Sequence, residues 1–557
     1  MIIDLLQVIA QLEISADLCI FGAGAAGISI AREFIRSSTR VCVFEAGGME
    51  ATHEQQRQYA GDSIGPTPVE IEHSRLRAFG GSCNVWGGGC IPLSPIDFEH
   101  RDWVPQSGWP ISYSDLAPYY RRAADVCGLQ WPDFRNGMSS AAPADCSLDF
   151  DMARLDKKQS AESPVIFGRD YGDDLNRADN VRVFLNGGLL RLEADASGTR
   201  VDHALVVGSD GRVVRVRAKE FVLACGGLEN ARLLLQSNTV APQGLGNEHG
   251  NVGRYFQDHP SFFIGSLHAP DGQYAHPRYG GAQALGQGAP LPQIELSEAF
   301  QRRERVLGGR VRPFPVYRSA PRGVRAFRDL RVSLAHLKQS EHDAVEASVR
   351  SAMRKNTASH EPATPPDTRK IRDNALQTLL GAPDLLRAAR RRLAGRPVDE
   401  VSHVNLIAFF EQAPNAESRV TLGPVIDAHG QRRIQVDWRL TALDEITHQK
   451  AARNFGDTLA AAWGDTFTPA AWATDPSGTP PRIYGTAHHI GATRMSLSPK
   501  DGVVDPECRV HGVANLHMAG SSVFPTGGWA FPTLTIIALS VRTADRLRKT
   551  LADTPPM

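Results

Sequence analysis

Two neighbouring histidines, His488 and His489, stand in the block Ala487-His-His-Ile-Gly491-Ala-Thr-Arg494-Met495. An imidazole is the side chain best matched to taking a proton near neutral pH. One member of such a pair can equally be a packed, hydrogen-bonded core residue. A second pattern is Gly22-x-Gly24-x-x-Gly27, with Glu45 eighteen residues beyond the last glycine. The first glycine permits a tight strand-to-helix turn, the second lets the backbone approach a pyrophosphate, and the third allows close helix–strand packing. The pyrophosphate then lies at a helix N-terminus, and the acid after the second strand accepts hydrogen bonds from a ribose. This chemistry is dinucleotide binding. The eight cysteines form no CxxC, haem-attachment or zinc spacing, so no metal site is expected.

These residues need a βαβ unit to position them, and residues 17–48 read as one. Asp17–Phe21 is a short apolar run suited to a buried parallel strand, 28–35 is helical, and Arg40–Phe44 forms a second strand ending at Glu45. Further strands are predicted at 181–184, 189–193, 204–207, 213–216 and 221–224, with an antiparallel excursion over 201–217. A helical hairpin is predicted over 101–130, Gly-, Pro- and Gln-rich loops over 266–293, and a polar helix over 341–355. A surface loop at 356–368 and a basic amphipathic helix over 370–394 follow.

The chain has 557 residues, 61 Lys+Arg against 61 Asp+Glu, and 42% hydrophobic residues. That excludes a small binding module and, for the chain as a whole, the charge footprint of a nucleic-acid binder. No window reaches the roughly 18 apolar residues of a membrane span. The N-terminus lacks the features of an export signal, so cytoplasmic residence and reduced thiols are expected. Charge is uneven: residues 301–400 carry 22 Lys/Arg against 11 Asp/Glu. Arginines 302, 303, 305, 310, 312, 318, 322, 325 and 328 could clamp a phosphate, a carboxylate or an acidic carrier protein, or form a solvated face.

FAD and NAD share the glycine fingerprint, and other blocks separate them. Arg75-Leu-Arg77-Ala-Phe-Gly80-Gly81-Ser82-Cys83-Asn84-Val85-Trp86-Gly87-Gly88 resembles the flavin-side signature of the glucose-methanol-choline (GMC) oxidoreductases. Phe221-Val-Leu-Ala-Cys225-Gly226-Gly227-Leu-Glu-Asn230-Ala-Arg232 and Gly253-Arg254-Tyr-Phe-Gln-Asp258-His259-Pro260 resemble further family elements. So do Glu411-Gln-Ala-Pro-Asn415-Ala-Glu-Ser-Arg419 and Val436-Asp-Trp438. The motif style is nearest to the bacterial sugar dehydrogenase and pyranose oxidase side of the family. The resemblance implies an α/β fold: a doubly wound, Rossmann-like FAD-binding domain plus a substrate domain with an antiparallel sheet and helices. The expected boundaries are 1–100, 180–265 and 482–557 for the discontinuous FAD domain, 101–179 for a connecting or cap region, and 266–481 for the substrate domain. Beyond the residues already quoted, it implies cofactor contacts from Ala25, Ala26, Ala46, Val183, Gly520, Ser521, Pro532 and Thr533. In relatives with covalent flavin a histidine of the first signature is the attachment point. Val85 stands there in this chain, so non-covalent FAD is expected.

The resemblance makes His488 the general base for oxidation of a CH–OH group, with His489 as the alternative or a pocket-lining residue. It departs where most relatives read Ala-Asn-Pro-Thr-Leu-Thr: this chain reads Ala530-Phe531-Pro532-Thr533-Leu534-Thr535. Phe531 cannot donate a hydrogen bond to a substrate oxygen, a loss worth about 2.7–4 kcal/mol where such a donor operates. Three readings follow. His489 or another polar group has taken over, the substrate is larger and more apolar and packs on Trp529 and Phe531, or the reaction is no longer simple alcohol oxidation. The implied function is an FAD-dependent dehydrogenase or oxidase of a sugar, polyol or glycosylated metabolite, passing electrons to oxygen or an external acceptor. The alternative is a GMC-fold flavoprotein with lyase, decarboxylase or purely structural FAD chemistry. Oligomeric state stays open.

Overall fold

The computed structural model describes residues 1–8, 13–130, 150–270, 291–318, 320–336, 340–354, 368–393, 401–475 and 478–553. The predicted loop at 356–368 apart from Thr368, most of that at 266–293, and Cys146 lie outside these residues.

The glycine fingerprint follows a parallel sheet. Strands Ile2–Asp4, Val181–Leu185, Val41–Phe44, Glu13–Phe21 and Val213–Leu223 lie side by side in that order, and Leu516–Met518 pairs in parallel with Val213–Leu223. Burial along Glu13–Phe21 tracks its neighbours. It alternates at first and becomes continuous from Leu18 onward, where Val41–Phe44 covers the second edge. Phe21, Phe44 and Phe184 stack across three adjacent strands, with ring centroids 5.7 and 4.9 Å apart. Gly22, at φ +98°, turns the chain into helix Ala25–Glu33, and a Cβ there would lie 2.5 Å from the Ala224 carbonyl oxygen. Helices Tyr113–Val126 and Thr533–Ala552 pack beside this unit.

The second sheet is antiparallel with seven strands: Thr466–Pro469, Ser261–His268, Val401–Phe410, Gly309–Tyr317, Leu291–Leu296, Leu155–Glu162 and Gly89–Cys90. Helix Ala442–Trp463 covers one face, burying Ala451, Phe455 and Leu459 against Phe262, Leu406 and Phe410. The helix opens with a Thr441–Asp444 capping box and closes at Gly464, φ +70°. Arg419–Ile426, Arg432–Asp437 and Asp62–Ser63 make a third, small sheet.

Several local expectations change. The strands expected at 213–216 and 221–224 are one strand, Val213–Leu223. Its first part pairs antiparallel with Val201–Gly208 and its last part with Leu516–Met518, so the pattern changes with the partner and not with the element. Residues 101–130 hold one helix and no hairpin. The segment 101–179 contributes Leu155–Glu162 to the antiparallel sheet. The basic helix at 370–394 is two helices, Thr368–Leu380 and Ala382–Leu393, broken at Gly381 where its backbone touches that of Gly323. The basic stretch is not one surface either. Arg302, Arg303 and Arg305 pair with Glu99 and Glu298, with Glu304, and with Asp102, while Arg310 and Arg312 turn into a cavity.

Candidate active site

A cavity of about 930 Å³ opens beyond the C-terminal ends of the parallel strands and is walled on the far side by the antiparallel sheet. Four glycines on its wall face open space. A Cβ built on Gly24, Gly87 or Gly226 would meet no atom within 4 Å, and one on Gly520 would meet only the Asn230 amide, at 3.9 Å. Four cradles that side chains would fill, from segments far apart in sequence, fit a long bound group such as a flavin dinucleotide. Gly22, Ala25, Ala26, Glu45, Ala46, Arg77 and Gly81 line the same cavity. So do Val85, Trp86, Cys225, Ser521, Phe531, Pro532 and Thr533.

Glu45 is buried where the fingerprint predicts. Its two carboxylate oxygens accept from the Ala23 and Gly47 N–H groups at 2.9 and 2.8 Å, each with a second lone pair to spare. Other predicted contacts stand behind the wall. Gly27 packs on the Gly22 carbonyl. Asn84 accepts from Gly168 N and donates to the Phe79 carbonyl. Gly80 has φ +94° and Gly88 has φ +71°; both shape this turn without lining the cavity. Asn230 ties three segments together, accepting from Cys225 N at 2.9 Å and donating to the Ala519 carbonyl and Ser522 Oγ at 3.0 Å each. Val183 is a correction: it is fully buried in the sheet opposite Ile2 and Val43, while Gly187–Leu190, just beyond that strand, reach the cavity.

At the end of the cavity that holds His488 the backbone turns at Ala487, a non-glycine residue held at φ +60°. Four N–H groups secure this turn to the buried Asp258 carboxylate: His259, Thr486 and His488 on one oxygen at 2.7–3.1 Å, and Ala487 on the other at 3.1 Å. Thr486 Oγ1 donates to Asp258 at 3.0 Å and therefore receives, at 2.9 Å, the proton on His488 Nδ1. His259 Nδ1 lies 3.0 Å from the same nitrogen. That network assigns the Nδ1–H tautomer to His488 and leaves its Nε2 with a lone pair. Burial, with help from His259 and Arg310, pushes the His488 pKa well below the ordinary imidazole value, so the ring is neutral. Gln412 braces the assembly, accepting from Asp258 N at 3.1 Å and Trp438 Nε1 at 2.8 Å.

His489 lines the same cavity beside His488. It is buried against Phe256 with its carbonyl bonded by Ser521 Oγ, and burial lowers its pKa to about 3. Phe531 stands edge-on to His488, centroids 6.1 Å apart, and its ring occupies the space that Gly89 leaves by lacking a side chain. Trp529 Nε1 donates to Glu295, whose pKa burial raises to about 7. Arg310 reaches the same corner and donates to Gln293 Oε1 at 3.0 Å. His259 was visible only as part of a motif. Arg310 was one of nine arginines named as a possible clamp, with nothing local to separate it from the others, and Gln293 carries no local signal.

The sequence profile of the C-terminal part of the GMC oxidoreductases matches residues 414–540. The 6'''-hydroxyparomomycin C oxidase of Streptomyces lividus is 30% identical over 43% of this chain and 53% of its own length. The match thus spans about half of that relative. The paromamine 6'-oxidase of Streptomyces fradiae is 22% identical over 95% of this chain and 90% of its own. The chain is thus similar to the GMC oxidoreductases, with the family profile matched over its C-terminal part. The fold is shared with a crystal structure of formate oxidase, at TM-score 0.56 and 16% identity over 97% of this chain and 99% of the other. The cofactor of the family is FAD, and the glycine cradles and Glu45 are the groups that would hold it. No described helix is long and apolar enough to cross a membrane.

Proposed function

We propose that this protein oxidises a CH–OH group of a small polar molecule, of the sugar, polyol or glycosylated class, with His488 as general base. The observation that carries the reading is the orientation of His488: Thr486 fixes its Nδ1 proton, so its Nε2 is the basic atom of a cavity-lining ring. When bound, FAD supplies the two-electron acceptor for the hydride of the carbinol carbon. His488 Nε2 takes the hydroxyl proton, and Thr486 and Asp258 hold the ring in the competent tautomer throughout. Trp529 and Phe531 are hydrophobic walls that exclude water beside the base. Oxygen or an external acceptor would take the electrons in turn. Cytoplasmic residence is part of the same proposal.

Phe531 supports a second reading, in which the FAD is structural or serves lyase or decarboxylase chemistry, because no hydrogen-bond donor stands at that position. Anaerobic mixing of the holoenzyme with a panel of alcohols, sugars and polyols separates the two. Bleaching of the flavin by at least one, abolished in His488→Asn with FAD retained, is the expected result. A flavin that no member of the panel reduces would leave the second reading standing.

A further inference from the structure

We propose that Arg310, with Arg312 beside it, forms a carboxylate-binding subsite in the active-site cavity, so that among CH–OH substrates of the sugar and polyol class those that carry a carboxylate are preferred over their neutral counterparts. The inference deepens the proposed function and rests on it.

Arg310 lies on Gly309–Tyr317, opposite Phe409 on one neighbouring strand and Glu295 on the other, and is 5% exposed. Phe409, Phe531 and Trp529 surround its guanidinium, with ring centroids 4.0, 4.8 and 5.7 Å from Cζ. Rings supply part of the compensation a buried cation needs, and they leave its planar fork of N–H donors unused. The Nη1 bond to Gln293 is the hydrogen bond found for the Arg310 side chain among the described residues; Nε has no partner, and no carboxylate comes within 4 Å. Glu295, its neighbour across the sheet, is committed to Trp529.

Other buried arginines of this chain are treated differently. Arg101 pairs with Glu411, Arg75 with Glu229, Arg232 with Glu229 and Asp427, and Arg542 with Glu507. Arg494 has no carboxylate at that distance, but it donates to the Gln106 carbonyl and lies off the cavity wall. Arg310 is thus a buried cation on a ligand cavity without an anion of its own. An uncompensated buried charge is costly, and a ligand that brings the opposite charge removes the cost.

Arg312, two residues on, points to the same side of the strand, lines the cavity and makes no ion pair among the described residues. Glu162 is the carboxylate on this wall, beyond ion-pair distance. The subsite is one ring away from the base, since Phe531 touches both Arg310 and His488. A guanidinium fork matches a carboxylate in two parallel bonds, and it repels an ammonium group.

The test titrates the holoenzyme with acetate and propionate, which cannot be oxidised at a hydroxyl, against chloride, sulfate and phosphate at matched ionic strength, reading the visible flavin spectrum. Saturable perturbation by the carboxylates, weakened at least tenfold in Arg310→Met and partly restored in Arg310→Lys, is expected. FAD content and melting temperature confirm that the variants fold. No saturable response, an equal response in Arg310→Met, or tighter binding of sulfate or phosphate overturns the subsite. A second arm compares hydroxy acids with their methyl esters as reductants of the flavin, and the acids should lead tenfold or more in kcat/KM. Carboxylate binding without reduction by any hydroxy acid would remove the oxidase reading and keep the subsite. Reduction by neutral alcohols without carboxylate binding would do the reverse.

Discussion

The guanidinium carbon of Arg310 lies 4.8 Å from the ring centroid of Phe531, and the same ring meets His488 edge-on. Phe531 is therefore a packing element between cation and base. Phe531→Asn should lower the rate of flavin reduction about tenfold or more, because an amide cannot fill the space over Gly89 or cover the guanidinium. A mutant faster than the wild type would mean that the position retains a donor role. Anaerobic stopped-flow reduction decides.

Gly24 isolates cofactor binding from folding. Its φ of −87° suits any residue, and no atom lies within 4 Å of a Cβ there, so Gly24→Ala should leave apoprotein stability within about 0.5 kcal/mol. The added methyl group occupies the cradle, and FAD content after gel filtration should fall more than tenfold. Gly27→Ala collides with the Gly22 carbonyl and should instead reduce the yield of folded protein. Equal FAD content in Gly24→Ala and wild type would rule out this use of the cradle.

The neutrality of His488 sets the sign of a pH effect. Its pKa is held well below the usual value by burial first, then by His259 and Arg310, so the free base persists as pH falls through 6.5. The rate of flavin reduction should show no acid limb near pH 6.5. Removing the Arg310 charge relieves part of the depression, and the acid limb of Arg310→Met should move to higher pH. A wild-type inflection at 6.5 contradicts this assignment. Thr486→Val should slow reduction at every pH, with Thr486→Ser recovering most of the rate.

Arg101 and Glu411 form a fully buried pair, with Arg101 Nη1 2.9 Å from Glu411 Oε2, and Gly308 N donates to the same oxygen at 3.0 Å. Arg101→Met should cost about 3–5 kcal/mol in denaturant unfolding, because it strands a buried carboxylate. Adding Glu411→Leu should recover part of the loss and not all of it, since the Gly308 N–H then lacks its acceptor. A single mutant within 1 kcal/mol of wild type would contradict the buried-pair reading.

Acid precipitation should release all flavin and leave a colourless pellet. Val85 presents only hydrocarbon to the cavity, and burial pushes the nearby Cys83 and Cys225 thiols far above the range where thiolate forms. Yellow colour retained in the pellet would reveal a covalent link.

The βαβ unit and its glycines were legible because each glycine answers a local demand: a turn at Gly22, an open wall at Gly24, a close packing at Gly27. His488 was legible as a candidate base by a different route, the resemblance of its block Ala487–Met495 to a family motif, while its anchor Thr486 went unmarked. Arg310 was not singled out. It stood in a run of arginines of which three pair with surface acids, and only its register between Glu295 and Phe409 separates it from them. Val183 shows the converse limit, because a buried strand residue and a cavity-facing neighbour a few positions on have the same apolar character. The split of the predicted 370–394 helix at Gly381 depends on Gly323, far away in sequence.

Leu516–Met518 lies beside Val213–Leu223 in the parallel sheet, and the next turn supplies Gly520 and Ser521 to the cavity. These two paired strands are separated by some three hundred residues of intervening chain, and closing so large a loop carries an entropic cost. A polypeptide still emerging during synthesis possesses the glycine fingerprint without its opposite wall. Gly520 and Ser521 accordingly complete the cavity wall only when nearly the whole chain is present.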